Sequence, residues 1–218
     1  MVHMQPTLDF ESPHLSNGRL VVGIDEVGRG AYAGPVTVGA VGLRSAKPIP
    51  TGLKDSKLLT ARARESLVEP IQAWADVWGI GSSTAEEIDL WGIRIALAVA
   101  ADRALANLHM PVEQLLIDGP TNLLRCSMAV PMGVMQPPVI QFASTPAHMI
   151  VKGDQKSATI GAAAVLAKVS RDAYMTALSE EYPQYEWSGN KGYGAPGHIA
   201  AIATSGLTSY HRQSWNIT

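Results

Sequence analysis

Two apolar runs on either side of a glycine-rich break constrain this chain more than any other feature. RLVVGID ends at Asp25, the break EVGRGAYAGP follows, and VTVGAVGL begins at Val36. Their length and their Val and Ile content read as two β-strands joined by a tight connection. A strand with one wet face alternates polar and apolar residues, and neither run does so. The sheet is therefore expected to be covered on both faces. Later segments supply the cover. TARARESLVEPIQAWADVWG starts at an N-cap, Thr60, and meets a helix-breaking or kinking Pro70. IGSSTAEEIDLWGIRIALAVAADRALANL carries Thr84 and Glu87 at capping-box spacing, which predicts a helix. SATIGAAAVLAKVSRDAYMTALSEEY is apolar almost all round in its first half, as a helix buried against a sheet must be. QLLID, ending at Asp118, and VIQFA, after a Pro-Pro pair, read as further short strands. A last helix runs from Pro196 to Gly206. The expected fold is α/β, a central mixed β-sheet flanked by helices. Residues 1–18 form a lead-in without a sustained period, and residues 19–218 form one domain.

Composition narrows the function. With 46% apolar, 17% charged and 6% aromatic residues, neither a disordered chain nor a coiled coil fits. No stretch approaches the ~20 apolar residues of a membrane span, and the N-terminus has no apolar run of the secretory type. A cytoplasmic location without membrane attachment is expected. Cys126 is the single cysteine, so no internal disulfide forms, and no Cys/His cluster has zinc spacing. Any metal must sit on oxygen ligands. A net charge of −2 gives no bulk attraction for nucleic acid, so such a partner needs a local basic groove.

Four acids stand where segments end. Asp25 and Glu26 close an apolar strand, Asp118 closes QLLID, and Asp154 precedes the Ala-rich helix. Taken singly, Asp25, Glu26 and Asp118 read equally well as solvated turns, and Asp154 as an N-cap. Taken together, three segments each deliver a carboxylate to an edge where α/β sheets place their ligand crevice. Clustered carboxylates repel, and Mg²⁺ or Mn²⁺ on oxygen ligands relieves that, so a two-metal site for phosphodiester chemistry is expected. Neighbours on a strand point to opposite faces, so Asp25 and Glu26 share a site only if the strand turns there, which the glycines after it permit.

The Gly28-Arg29-Gly30 loop has a strand rather than a helix after it, so it is no dinucleotide fingerprint. Its glycines expose backbone amides to a sugar or phosphate, with Arg29 as an anion contact. Ser56 and Lys57 lie in a polar cluster ahead of a helix, and a solvated turn is the plainer reading of it. Lys152 lies with Asp154 before a helix N-terminus suited to phosphate. The glycines around Tyr193 argue for an exposed ring, against core packing. His198, His211 and Arg212 read as surface or capping residues.

The string from Gly23 to Gly30, continuing to Ala33-Gly34-Pro35-Val36, resembles the signature of ribonuclease HII. LKDSKLL, the Asp118-Gly119 strand end, KGDQKSATIGAAAVLAKVSRD and KGYGAPGH follow in that family's order, from about Gly18 to Trp215. The resemblance implies an RNase H-like fold with a small helical C-terminal part. It implies a metal-dependent endoribonuclease that hydrolyses RNA in RNA–DNA hybrids and incises 5′ to ribonucleotides in duplex DNA, leaving 3′-hydroxyl and 5′-phosphate ends. Its metal-binding and catalytic carboxylates fall on Asp25, Glu26, Asp118 and Asp154, with Mg²⁺ or Mn²⁺. Its ribose-sensing loop falls on Gly28, Arg29 and Gly30, its junction-reading tyrosine on Tyr193, and its backbone contacts on Ser56, Lys57 and Lys152. Asp172 reads as structural or accessory. A monomer acting on hybrid or ribonucleotide-containing duplex is expected. Pro120 and Ala195 depart from what relatives commonly carry. The rival readings are a binding-only hybrid module, which has no use for four acids that repel phosphate, and another RNase H-like phosphoryl transferase. Ribonuclease HIII shares the motifs but has an added N-terminal domain, for which the 24 residues before Asp25 are too few.

Overall fold

The computed structural model describes residues 5–217; residues 1–4 of the lead-in lie outside that range. After a single-turn helix α1 (Ser12–Leu15), strand β1 (Val21–Val27) and strand β2 (Val36–Leu43) form an antiparallel pair. Helix α2 (Ala61–Trp74), strand β3 (Val77–Ser83), helices α3 (Ala85–Trp91) and α4 (Ile93–Ala106), and strand β4 (Gln114–Asp118) follow. Strand β5 (Ala147–Ile150), the long helix α5 (Ala158–Glu181) and the short helices α6 (Trp187–Asn190) and α7 (Pro196–Ser205) complete the chain. The five strands lie in the order β3-β2-β1-β4-β5. The β3, β2 and β1 strands are antiparallel, whereas β1, β4 and β5 are parallel, so the sheet is mixed as expected.

Both faces are covered. Val22 and Ile24 of β1 pack with Ala96, Val99 and Ala100 of α4 on one side. Val21 and Leu116 pack with Ile160, Ala163 and Val165 of α5 and with Ile71 of α2 on the other. A smaller cluster around Tyr185, Trp187 and Met175 carries the helical C-terminal part. Among the described residues no helix is long and apolar enough to cross a membrane.

Thr60 and Thr84 cap their helices as predicted, and Thr84 and Glu87 exchange both bonds of a capping box. Three local expectations need correction. First, α2 continues through Pro70 to Trp74. Second, the segment read as one helix from Thr84 is two, divided at Gly92, whose φ of 78° leaves the helical region, and the residues before it form β3. Two of that strand's seven residues are glycines needed for close packing: a Cβ on Gly79 or Gly81 would strike the carbonyl oxygens of Ala104 or Ala100 in α4. Third, the strand beside β4 is Ala147–Ile150, not Val139–Ala143. The latter is apolar because Ile140 and Phe142 pack on the α4 side, where the Phe142 amide donates to Asp102 at 3.0 Å. The true edge strand exposes His148 and Met149, and so carries little apolar signal.

The lead-in joins the domain. Thr7 bridges to Ser157, and the fully buried Glu11 accepts bonds from Ser157 Oγ, the Thr159 amide and Thr159 Oγ1 at 2.6, 2.9 and 2.7 Å.

Candidate active site

Parallel pairing brings the first two acids together. Register couples Ile24 of β1 with Ile117 of β4, so the next residue of each strand, Asp25 and Asp118, stands at adjoining C-terminal ends. By strand alternation both lie on the α5 face. Beyond them a 3₁₀ turn, Gly153–Gln155, leads into α5 and carries Asp154. Asp118 Oδ1 accepts the Gly153 amide at 2.6 Å, fastening that turn to the strand end.

Asp154 is not the cap of α5. Ser157 holds that position and its hydroxyl accepts from the Ile160 amide, which removes the helix-cap account of Asp154. Its side chain is 4% exposed and meets Lys57 Nζ at 3.3 Å. The Ser56–Leu58 turn that presents Lys57 is fixed by Asp55, which accepts from the Lys57 amide at 2.9 Å and from Gln155 Nε2 at 3.1 Å. Lys152 stands exposed at the head of the Asp154 turn, with a left-handed φ of 57°.

The turn that would set Asp25 and Glu26 on one face is not there. The β1 strand stays regular through Val27, and Glu26 pairs with Val38, so its side chain leaves from the face opposite Asp25. The chain turns two residues later, at Gly28, with φ 85°. Glu26 instead meets Arg29 at 3.6 Å. Among the described residues no three His, Cys, Asp or Glu side chains are gathered closely enough to hold a metal ion.

The acids also act on one another electrostatically. Burial raises the Asp25 carboxyl well above its ordinary value, and Asp118, Glu26 and Asp154 raise it further. Burial also raises Glu26, against the pull of Arg29. Asp154 rises through burial too, with Lys57 opposing. Carboxylates that destabilise one another's charge and are offset only in part by Arg29 and Lys57, in a donor set made only of oxygen, suit a hard divalent cation, and closing on one would relieve the repulsion.

A cavity of about 190 Å³ adjoins the acids, lined by Asp25, Glu26, Ser56, Lys57, Lys168 and Tyr193. It thus unites two of the acids with the predicted Ser56, Lys57 and Tyr193. The half-buried Tyr193 ring sits 5.4 Å from the Arg171 guanidinium and 5.9 Å from Lys168 Nζ. Lys168 escaped the sequence reading, although it lies one helical turn after Ala164, another lining residue. Asp172, read as accessory, bonds Lys168 at 2.8 Å and meets Arg64 at 3.9 Å.

The C-terminal residues differ most from expectation. His198, His211 and Arg212 are fully buried, not surface or capping groups. Trp187 Nε1 donates to His198 Nε2, which fixes His198 as an Nδ1–H tautomer donating to the Tyr193 carbonyl, at 3.0 and 2.8 Å. His211 then donates from Nε2 to the same His198 nitrogen at 3.1 Å and accepts the Thr208 amide at Nδ1. Arg212 bonds the carbonyls of Gly28, Arg29 and Gly34, and Arg171 those of Ala33, Pro35 and Lys191. A Cβ on Gly28 would strike Arg171, whereas one on Gly30 meets nothing within 4 Å.

The chain is similar to known proteins in sequence and fold. The sequence model of the family Ribonuclease HII matches residues 22–218. Ribonuclease HII of Nitrosococcus oceani is 44% identical over 198 residues, covering 91% of this chain and 89% of that protein. The Streptomyces avermitilis enzyme of that name is 40% identical over 202 residues, covering 92% and 78%. Among solved structures, the PCNA:RNase HII complex of Archaeoglobus fulgidus aligns with a TM-score of 0.71 at 24% identity, covering 90% of this chain and 95% of that one. Bst-RNase HIII in complex with Mn²⁺ aligns at 0.64 and 17% identity, covering 92% and 68%.

Proposed function

Since the chain belongs to the ribonuclease HII family, a group of metal-dependent endonucleases, we propose that it cleaves the phosphodiester on the 5′ side of a ribonucleotide, in RNA–DNA hybrid or embedded in duplex DNA. The products would be a 3′-hydroxyl and a 5′-phosphate. The observation that carries this is the state of Asp25, a nearly buried carboxyl on which Asp118, Glu26 and Asp154 all act. Such a concentration of like charge suits cation binding and works against binding phosphate without one.

In this reading Asp25, Asp118 and Asp154 would hold Mg²⁺ or Mn²⁺, joined by Glu26, which lines the same cavity as Asp25 although the strand does not turn between them. The chemistry a pair of such cations supplies is a lowered pKa for the attacking water and charge stabilisation on the leaving 3′-oxygen. The chain's own groups do the rest. Lys57 neutralises Asp154 until cation and substrate arrive, and with Ser56 and Lys152 offers donors to the strand backbone. Gly28, Arg29 and Gly30 approach the ribose, whose 2′-hydroxyl serves recognition because water is the nucleophile. Tyr193 stacks beside it, its ring flanked by Arg171 and Lys168. The described buried histidines, His198 and His211, bond within the C-terminal part and act as no base.

The test is cleavage of a DNA duplex with one ribonucleotide, mapped at nucleotide resolution, with Mg²⁺, Mn²⁺ or chelator. Incision 5′ to the ribonucleotide that disappears on chelation is expected. Incision elsewhere, or persistence in chelator, overturns the reading.

A further inference from the structure

Among the described residues Arg212 has no carboxylate partner, and it is fully buried, an arrangement that costs a great deal unless carbonyl oxygens solvate the charge. They do: Nη1 donates to Arg29 O at 2.7 Å and Nη2 to Gly28 O and Gly34 O. Burial and the neighbouring Arg171 lower its pKa only to about 9, so the guanidinium stays charged at neutral pH, and Trp215 covers it 4.7 Å away. The described residues contain no cis peptide. In a trans peptide, the carbonyl of one residue and the amide of the next point in opposite directions. Turning the Gly28 and Arg29 carbonyls inward onto Arg212 therefore turns the Arg29 and Gly30 amides outward. Neither amide has an acceptor among the described residues, whereas the next one, Ala31 N, closes the turn onto Gly28 O at 3.3 Å.

We infer that Arg212 is a positioning residue for ribose selection: by gripping two successive carbonyls it aims the Arg29 and Gly30 amides, as a paired donor, at the 2′-hydroxyl. This rests on the reading of Gly28-Arg29-Gly30 as the ribose loop and adds what sets that loop's shape. Glycine alone leaves the two peptide planes free to rotate. A planar guanidinium with forked donors fixes both at once, which an ammonium cannot do.

The test compares the parent with Arg212→Lys in three measurements: kcat and KM on a single-ribonucleotide duplex, the inhibition constant of the same duplex in all-DNA form, and the metal concentration for half activity. For Arg212→Lys, KM should rise by up to about tenfold, the upper end of the worth of one lost hydrogen bond, with the other two quantities unchanged. An unchanged KM, or all three shifting together, overturns the inference. A parent whose KM equals its all-DNA inhibition constant refutes the ribose-loop reading itself. Should Arg212→Lys fail to fold, amide exchange on the parent decides. With Mg²⁺ present, the Arg29 and Gly30 amides should exchange freely in the free protein and gain protection on a ribonucleotide duplex with a non-hydrolysable scissile linkage but not on all-DNA duplex. Amides already protected in the free protein, or protected equally by both duplexes, overturn it.

Discussion

The Asp118 carboxylate accepts the Gly153 amide at 2.6 Å, so the end of β4 and the turn carrying Asp154 move as one piece. Asp55 performs the same service from the other side, bonding Gln155 while it shapes the turn of Lys57. Acids in this region thus do two separable jobs, accepting hydrogen bonds and supplying charge. Substitutions can distinguish them.

Asp118→Asn keeps an oxygen for the Gly153 amide and Asp25→Asn removes a charge that burial disfavours. Both should fold, and Asp25→Asn should hold or raise Tm, by about 2–4 °C if the gain is about 1 kcal/mol. Turnover should fall at least about 100-fold in each, the upper end of the cost of losing even an outer partner of a metal ligand. Thermal melts and single-ribonucleotide cleavage assays check the pair, and full activity in a folded variant removes that acid from the site.

Asp154→Ser and Ser157→Ala should behave oppositely. Ser157 caps α5, so its loss should cost about 1 kcal/mol or more by denaturant titration. Asp154→Ser should leave stability near the parent value while the rate collapses and the metal requirement rises. Parental rates in Asp154→Ser would end its role as a ligand.

Gly28 has φ 85° with Arg171 against it, while the space at Gly30 is open. Gly28→Ala should lose about 1–2 kcal/mol from its left-handed backbone alone, and more if Arg171 is displaced. Gly30→Ala should keep its Tm and slow cleavage of both single-ribonucleotide and continuous-RNA substrates. Tyr193→Ala should slow the single-ribonucleotide substrate more; an unchanged ratio would leave Tyr193 a packing residue.

Burial lowers His198, and burial together with His198 lowers His211 to about 4. The unfolded chain then takes up protons near pH 6.5 while the folded chain does not, so stability is full above that pH and declines as pH falls toward 4. His211 alone contributes a slope of up to about 1.4 kcal/mol per pH unit in that window. Denaturant midpoints between pH 7 and 4 should show it, and His211→Gln should flatten it. Burial raises Asp25, Glu26 and Asp154, which gives a slope of opposite sign, so the difference between the parent and His211→Gln is what reports the histidine. A difference that does not change with pH would mean that His211 is already charged in the fold.

Ala195 is the N-cap of α7 and makes no cap bond, with an extended backbone at φ −74°. Ala195→Thr should therefore add about 1 kcal/mol of stability. Calorimetry measures the gain, and cleavage of the single-ribonucleotide duplex shows whether the departure also affects substrate fit.

What could be read in the sequence is what local chemistry carries. The runs at β1 and β2 announce a doubly covered sheet because no polar residue interrupts them, Thr84 and Glu87 announce a cap because spacing alone makes the bonds, and the acids stand out because each ends an apolar segment. Tertiary structure decided the rest through contacts between residues far apart in the chain. Gly79 and Gly81 make β3 look like a loop until α4 lies on them. Asp154 looks like a cap until Ser157 is seen to be the cap, and Glu26 leaves from the opposite face because β1 runs straight where a turn was expected. Arg212 looks like part of a surface tail because nothing near it in sequence needs it. Its partners are carbonyls nearly the whole chain away, and only folding makes a buried charge there the means of shaping a loop.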